Sequence, residues 1–506
     1  MNTSSVRASW FGVSVLAVGI FASVARAEVK LAAVFSDHAV LQRDKALPVW
    51  GTAEAGEKVE VTFGAQKKDA VADAQGKWRV MLDAVPASTT PAELVVRGTN
   101  TVTLRDILVG EVWLASGQSN MEKQIGNRPG QKPTLNAEQE IAAANFPQMR
   151  LFKVKKQKLA GPGKDVQAAW EVCTPESVER LEFSAAGYFF GRKIHQETGV
   201  PVGVIDSDWG GTRIEPWTPP EAFARMPSLA AFALAAQKPD VKADGSVPSN
   251  LYYGMIQPLA PYALRGFIWY QGESNLMDVN DRAIYADKME ALITGWRAAF
   301  GADEAPFYYV QIAPHFYHVI RRRVHTSTTA LPEFWEAQTE ALRVKNTGMA
   351  ATVDLVDDLF DIHPRDKKNV GERLARLALK RTYGKSDVVD SGPVFAGWTV
   401  NDGKAVVTFS GVAGGLKSTD DKALTWFEIA GVDGKFFAAE AKIDGADKVI
   451  VSSPYVAQPV AVRFSWDEAA QPNLASTAGL PAWAFRTDAG GATVRGVNEL
   501  IAKDAR

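Results

Sequence analysis

The chain has 506 residues, 46% of them hydrophobic and 23% charged. That is too long for one hydrophobic core and too apolar for a disordered or fibrous class, so two or three globular domains are expected. The 56 basic and 58 acidic side chains nearly cancel, and the one short basic run, Arg321-Arg322-Arg323, reads as a solvated loop, so nucleic acid is not an expected partner.

At the start, Arg7 precedes an apolar stretch from Trp10 to about Val24, followed by Ala25-Arg26-Ala27 with small residues where a signal peptidase reads. Residues 1–27 are therefore expected to be a secretory signal, cleaved near Ala27 to leave a periplasmic or extracellular protein. The stretch falls short of the ~20 apolar residues that span a bilayer, and no later segment reaches that length, so stable membrane insertion is not expected. Cys173 is the single cysteine, which rules out an internal disulfide. Its partly apolar setting beside Trp170 and Val172, with no basic neighbour, predicts a packed side chain and not a reactive thiol.

Residues 28–105 alternate apolar and polar, as at Val59, Val61 and Phe63, and predict an N-terminal β-sandwich-like module. From 106 to 385 the pattern changes to buried strands followed by helices. Val202–Ile205, Gly266–Tyr270 and Phe307–Val310 are too continuously apolar to be half-exposed. Tyr285, Met289, Leu292 and Trp296 recur at helical spacing, and a second helix is bounded by Ser184 and Gly199. Such alternation predicts an α/β domain with a mostly parallel sheet, in which ligands bind beyond the carboxyl ends of the strands. An Ala-rich helical excursion near 219–248 is expected to form part of a lid. Residues 386–506 return to short strands, Ala405–Phe409, Trp426–Ile429, Val449–Val451 and Val460–Trp466 among them, and predict a C-terminal β module.

The apolar run Ile107–Ala115 ends in Ser116-Gly117-Gln118-Ser119-Asn120-Met121. This sets Ser119 just past a strand, at a glycine-permitted corner suited to a nucleophile. The second glycine of the Gly-x-Ser-x-Gly elbow is missing, so an ordinary α/β-hydrolase is not indicated. Two further strand ends, around Asp206-Ser207-Asp208-Trp209-Gly210-Gly211-Thr212 and Gln271-Gly272-Glu273-Ser274-Asn275, bring glycines and amides to the same edge. The N–H groups of Ser119 and Gly211, with the side-chain amide of Gln271 or alternatively Asn275, form the expected oxyanion hole.

Of six histidines, His363 is the candidate base. It follows the strand-like Ala351–Leu355 and precedes a helix marked by Val370, Leu374 and Leu377, with Asp357, Asp358 and Asp361 nearby to orient its ring. His195 lies inside a helix, His38 in the first β module, and His315 and His318 after a strand end. Among the aromatics near the strand ends, Trp209, Trp217, Trp269 and Tyr270 are candidates for stacking on a sugar, Trp269 being better suited to the core. No cluster of metal ligands is evident.

Gly110–Met121, Ser207–Thr212, Trp269–Asn275 and Ile362–Lys367 together closely resemble the four blocks of the sialate O-acetylesterase family, within the SGNH hydrolases. Phe35–Gln42 and Gly479–Thr487 extend the resemblance over nearly the whole mature chain. The resemblance implies a flavodoxin-like fold, no metal or other cofactor, Ser119 as nucleophile, His363 as base, and an oxyanion hole from Ser119, Gly211 and the third block. The broad class places its acid three residues before the histidine, where this chain has Phe360. Asp361 is the candidate acid instead, with Glu273 as alternative and Asp358 as a third choice. The implied activity is removal of O-acetyl groups from carbohydrate, most simply from acetylated sialic acid. Acetylxylan or another plant polysaccharide is the alternative substrate, and a non-catalytic carbohydrate-binding protein is the alternative from another class.

Overall fold

The computed structural model describes residues 1–2, 28–237, 247–320 and 326–488. The residues read as an export signal (3–27 of them), the arginine run with His325, and the middle of the excursion, 238–246, lie outside the described residues.

The N-terminal strands alternate as their sequence requires. In Lys77–Leu82 the buried positions are Trp78, Val80 and Leu82, one side of a pleated ribbon whose side chains point alternately to opposite faces. That ribbon, Leu47–Thr52 and Lys30–Leu31 form a three-stranded antiparallel sheet. Lys58–Phe63 pairs antiparallel with Gln66–Val71 on one side and with Ser88–Arg97 on the other, and Ser88–Arg97 pairs antiparallel with the start of a long strand, Thr101–Gly117.

That long strand, β1 (Thr101–Gly117), continues without a break through residues 105 and 106 into the central sheet. There it joins β2 (Phe146–Lys153), β3 (Trp170–Cys173), β4 (Val202–Asp208), β5 (Gly266–Tyr270), β6 (Phe307–Val310) and β7 (Thr347–Ala350), in the order β3-β2-β4-β1-β5-β6-β7. Only the edge pair β3–β2 is antiparallel; the other pairings are parallel. The architecture is thus a mixed α/β fold with one large mixed sheet and additional β sheets. Val204 and Trp113 are register partners, as are Phe267 and Leu114, so these pairs lie on opposite faces. Trp113 packs on Phe190 of the helix Ala185–Thr198, and Phe267 on Trp296 of the helix Val279–Phe300. Both faces are therefore covered, which explains why the strands are apolar throughout.

Both predicted helices form. Ser184 Oγ accepts the Gly187 N–H as an N-cap, and Gly199 closes the same helix in the left-handed region at φ 68°, the C-terminal geometry glycine favours. One expected strand shifts. Pairing stops at Val310 with Ala350, so Ala351–Leu355, read as strand-like, is a loop, buried except at Asp354, without a partner strand to continue the ladder. The C-terminal strands Lys404–Ser410, Phe427–Ala430, Lys448–Ser452 and Ala461–Phe464 form around a separate core containing Phe409, Ile429, Phe464 and Phe485. Among the described residues no helix is long and apolar enough to cross a membrane.

Candidate active site

The chain runs from β1 to strands on one side of it, then crosses to β5–β7 on the other. Such a reversal opens a crevice at the carboxyl ends of the strands. Register fixes what meets there: Gly117 is level with Asp208 of β4 and with Tyr270 of β5. Three predicted sequence blocks therefore emerge side by side. Gly117 adopts φ 146°, and a Cβ there would lie 2.1 Å from the Tyr270 carbonyl oxygen, so only glycine fits between the strands.

Immediately beyond, Gln118 is the N-cap of the short helix Ser119–Glu122, and Ser119 opens into a cleft of about 520 Å³. The same cleft is lined by Gly210, Gly211, Glu273 and His363. Gly210 is held by its N–H, which donates to the Glu122 carboxylate. A Cβ on Gly210 would meet Glu122 Oε2 at 2.6 Å and Ser119 Cβ at 3.2 Å, so the glycine pair lies directly against the serine. Gly211 follows at φ 75°. The N–H groups of Ser119 and Gly211 have no protein acceptor among the described residues, which leaves both available to a ligand oxygen.

His363 sits in the loop between β7 and the helix Lys367–Leu377. Burial, with Lys367 and Lys123 adding positive charge, lowers its pKa to about 4 despite the opposing effect of Asp361. The imidazole is therefore neutral at ordinary pH and able to accept a proton. Asp361 Oδ1 accepts the His363 backbone N–H at 2.9 Å and lies 3.7 Å from His363 Nδ1. Asp358 is committed elsewhere, accepting from Lys132 Nζ at 2.8 Å and from the Phe360 N–H at 2.9 Å.

Glu273 is buried beneath the cleft, and burial holds its carboxyl above the ordinary range. Its Oε1 accepts from Asn120 Nδ2 at 2.5 Å, while Oε2 has no partner among the described residues. Asn120, next to the serine, also donates to the Ile362 carbonyl at 3.0 Å and accepts from Lys367 Nζ at 2.6 Å. Burial lowers the Lys367 ammonium to about 7. Asn120 thus ties the serine corner, the third block and the histidine loop together. The sequence reading did not single it out, and its position beside Ser119 was the signal available.

The two third-block amides expected to donate to an oxyanion are used internally. Gln271 Nε2 donates to Asn275 Oδ1 at 2.7 Å, Gln118 Oε1 at 3.1 Å and the Thr212 carbonyl at 3.3 Å. Asn275 Nδ2 donates to Asp281 and Glu215. Both side chains are fully buried, and neither lines the cleft. Satisfying buried carboxylates and carbonyls takes their donors. Of the four aromatics, Trp217, Trp269 and Tyr270 are buried in the core, and only Trp209 lines the cleft. Lys158 and Lys156 lie 4.8 and 5.6 Å from its ring centre. Glu122, Arg128 and Lys156 complete the rim; although burial raises the Glu122 carboxyl, the two cations outweigh it and hold its pKa down.

The excursion does not cover the cleft with any described residue. Phe223 and Leu229 pack with Ala291 of the helix Val279–Phe300. None of the other described histidines lines the cleft. His195 Nδ1 bonds the Val200 carbonyl at 2.8 Å, His38 pairs with Asp106 at 2.7 Å, and His318 pairs with Glu468. His315 is buried with neither ring nitrogen partnered. Cys173 is buried and its thiol pushed up to about 12, inert as expected. Among the described residues no group of three or more His, Cys, Asp or Glu side chains is arranged to hold a metal ion.

Residues 109–380 match the family described as carbohydrate esterase, sialic acid-specific acetylesterase. The sialate O-acetylesterase of Rattus norvegicus is 29% identical over 424 residues, covering 72% of this chain and 76% of its own. That of Homo sapiens is 30% identical over 410 residues, with 72% and 73% covered. The crystal structure of a carbohydrate acetylesterase from Xanthomonas citri superposes with a TM-score of 0.81 at 36% identity, covering 91% of this chain and 100% of that one.

Proposed function

The chain belongs to the sialic acid-specific acetylesterase family of carbohydrate esterases, and from that premise we propose that it is a serine esterase that removes O-acetyl groups from acetylated sialic acid through an acetyl-enzyme. The observation that carries this reading is the shared cleft of Ser119, Gly211 and His363, with the imidazole held neutral by burial. The strand order around β1 supports a flavodoxin-like core of the SGNH class.

In the first step the neutral His363 takes the Ser119 hydroxyl proton as Oγ bonds to the acetyl carbonyl carbon, and the carbonyl π pair moves onto oxygen. The Ser119 and Gly211 N–H groups meet that developing charge. Collapse of the tetrahedral intermediate breaks the bond to the sugar oxygen, which leaves with the proton from His363. Water, deprotonated by the same imidazole, then releases acetate and restores Ser119. Asp361 is the acid that orients the ring, its Oδ1 lying 3.7 Å from Nδ1; Glu273 is linked to the histidine loop through Asn120. Export, with loss of the first 27 residues, delivers the enzyme to a periplasmic or extracellular acetylated glycan, and amino-terminal sequencing of the exported protein is expected to start at Glu28.

The test is acetate release from 9-O-acetylated sialic acid and from acetylated xylan, assayed side by side with the mature protein and its Ser119→Ala variant. Release from the sialic acid that vanishes in the variant is expected. Release undiminished in the variant would remove Ser119 as nucleophile, and release from xylan alone would reassign the substrate.

A further inference from the structure

The proposed base, His363, sits in a loop that no strand ladder supports, because pairing ends at Ala350 and the next helix begins at Lys367. Other segments must therefore hold that loop in place. One of them belongs to the C-terminal module, whose described residues do not line the cleft. We propose that this module positions the His363 loop, with Glu468 and Gln471 as the positioning residues.

Both residues lie in the stretch that follows the strand Ala461–Phe464. Gln471 acts directly, its Nε2 donating to the Val356 carbonyl at 2.7 Å. Glu468 acts through the segment after β6. It is fully buried, and its carboxylate accepts the His318 backbone N–H at 3.2 Å and pairs with His318 Nδ1. Its own carbonyl accepts the His315 N–H at 3.2 Å, and its N–H donates to the Thr328 carbonyl at 2.8 Å. Residues 315–318 are thus pinned at both ends. Between those ends, Phe316 reaches the histidine loop twice. Its N–H donates to the Leu359 carbonyl at 3.1 Å, and its ring meets that of Phe360 at 4.9 Å. Phe360 is 75% exposed, so burial does not hold it. The ties at Val356 and Leu359 fix the start and middle of a loop whose end Asn120 fixes at Ile362. A carboxylate that accepts a backbone N–H makes a charge-assisted bond, about twice as strong as a neutral one. The Arg486–Glu336 pair, at 2.7 and 3.0 Å, fastens the module to the helix Ala330–Glu340 and steadies the frame from which Glu468 and Gln471 reach. Because misplacing a reacting group by about 1 Å costs about 10²-fold in rate, ties remote from the cleft bear on the chemistry inside it.

The inference rests on His363 being the base, and His363→Ala separates the two. Rates with 9-O-acetylated sialic acid are taken per serine titrated to completion with a fluorophosphonate, so unfolded protein does not count. Glu468→Leu removes the carboxylate and is expected to lower kcat about tenfold, with KM changed by less than about threefold. Glu468→Gln restores an acceptor for the His318 N–H and should recover kcat to within about threefold of the parent. Loosening the loop also admits water to His363, while Lys367, Lys123, Arg128 and Asp361 remain around it. The acid limb of kcat/KM should therefore rise by about half a pH unit in Glu468→Leu. A merely destabilised fold would leave that limb where it is. Gln471→Ala combined with Phe360→Ala cuts two exposed ties without a buried change, and should show the same loss and the same shift. The parent's kcat and acid limb in folded Glu468→Leu, or in the Gln471→Ala and Phe360→Ala double variant if Glu468→Leu does not fold, with His363→Ala inactive, would overturn the inference and leave the serine mechanism standing. Activity retained in His363→Ala would overturn both.

Discussion

The lowered basicity of His363 makes a quantitative prediction about pH. A fall from the ordinary 6.5 to about 4 means the site opposes the imidazolium by about 3 kcal/mol. Burial is the largest cause, with Lys367 next and Lys123 after it. Lys367 is itself lowered to about 7, so it still carries its charge across the acidic range in which His363 titrates. In the proposed mechanism the neutral ring is the base, so the acid limb of kcat/KM should lie near pH 4 to 5, well below that of an exposed histidine. Lys367→Met removes one cation and should move the limb up by about one pH unit, leaving the plateau rate reduced by whatever the lost bond to Asn120 contributes. The assay is acetate release from 9-O-acetylated sialic acid across pH 3.5–8, with quenched samples read at one common pH. The same shift has a stability consequence of definite sign. The unfolded chain binds a proton between about 4 and 6.5 that the folded ring does not, so stability is complete above about 6.5 and falls as the pH drops towards 4. A parent acid limb near 6.5 would refute the burial argument, and a limb unmoved in Lys367→Met would refute the role of that cation.

Other expected outcomes follow from single contacts. Asn120→Leu cuts the ties to Glu273, Ile362 and Lys367 and should lower kcat by about 10²-fold with little change in KM, as loss of alignment does; a kcat within twofold would show that the histidine loop holds itself. Glu111 is fully buried and accepts from Arg43 at 2.5 Å and from Arg265 at 2.7 Å, joining the N-terminal strands to the edge of β5. Glu111→Ala leaves two guanidinium groups without that partner and should cost about 3–5 kcal/mol, read as a lowered denaturation midpoint, with an unchanged midpoint as the contrary result. Cys173 should resist a thiol-specific disulfide reagent in the native protein and react once in denaturant; rapid native labelling would contradict its burial.

Much of the site was legible along the chain because its parts are local. A strand that ends in glycine announces a corner, and a serine two residues on occupies it, so Ser119 needed no tertiary information. Gly211 was legible for the same reason. His363 stood out by elimination and by its place before an amphipathic helix. The helix from Ser184 to Gly199 carried its own start and stop signals, and Cys173 its own isolation. The limits of Ala351–Leu355 were not legible, since a strand ends where its neighbour does and β6 ends at Val310.

The tertiary structure alone decided which polar groups remain free. Gln271 and Asn275 look like donors in sequence, but Asp281, Glu215 and Thr212 use them in the folded chain. Likewise Trp217 and Trp209 differ little as residues near strand ends, yet one is sealed in the core and the other faces the cleft. The sequence by itself determined which candidate residues stand at the strand ends, because backbone geometry and residue type suffice for a corner or a cap. The assignment of each buried donor and acceptor belonged to the folded structure, because hydrogen-bond satisfaction is settled among groups distant in the chain and cannot be counted until they meet.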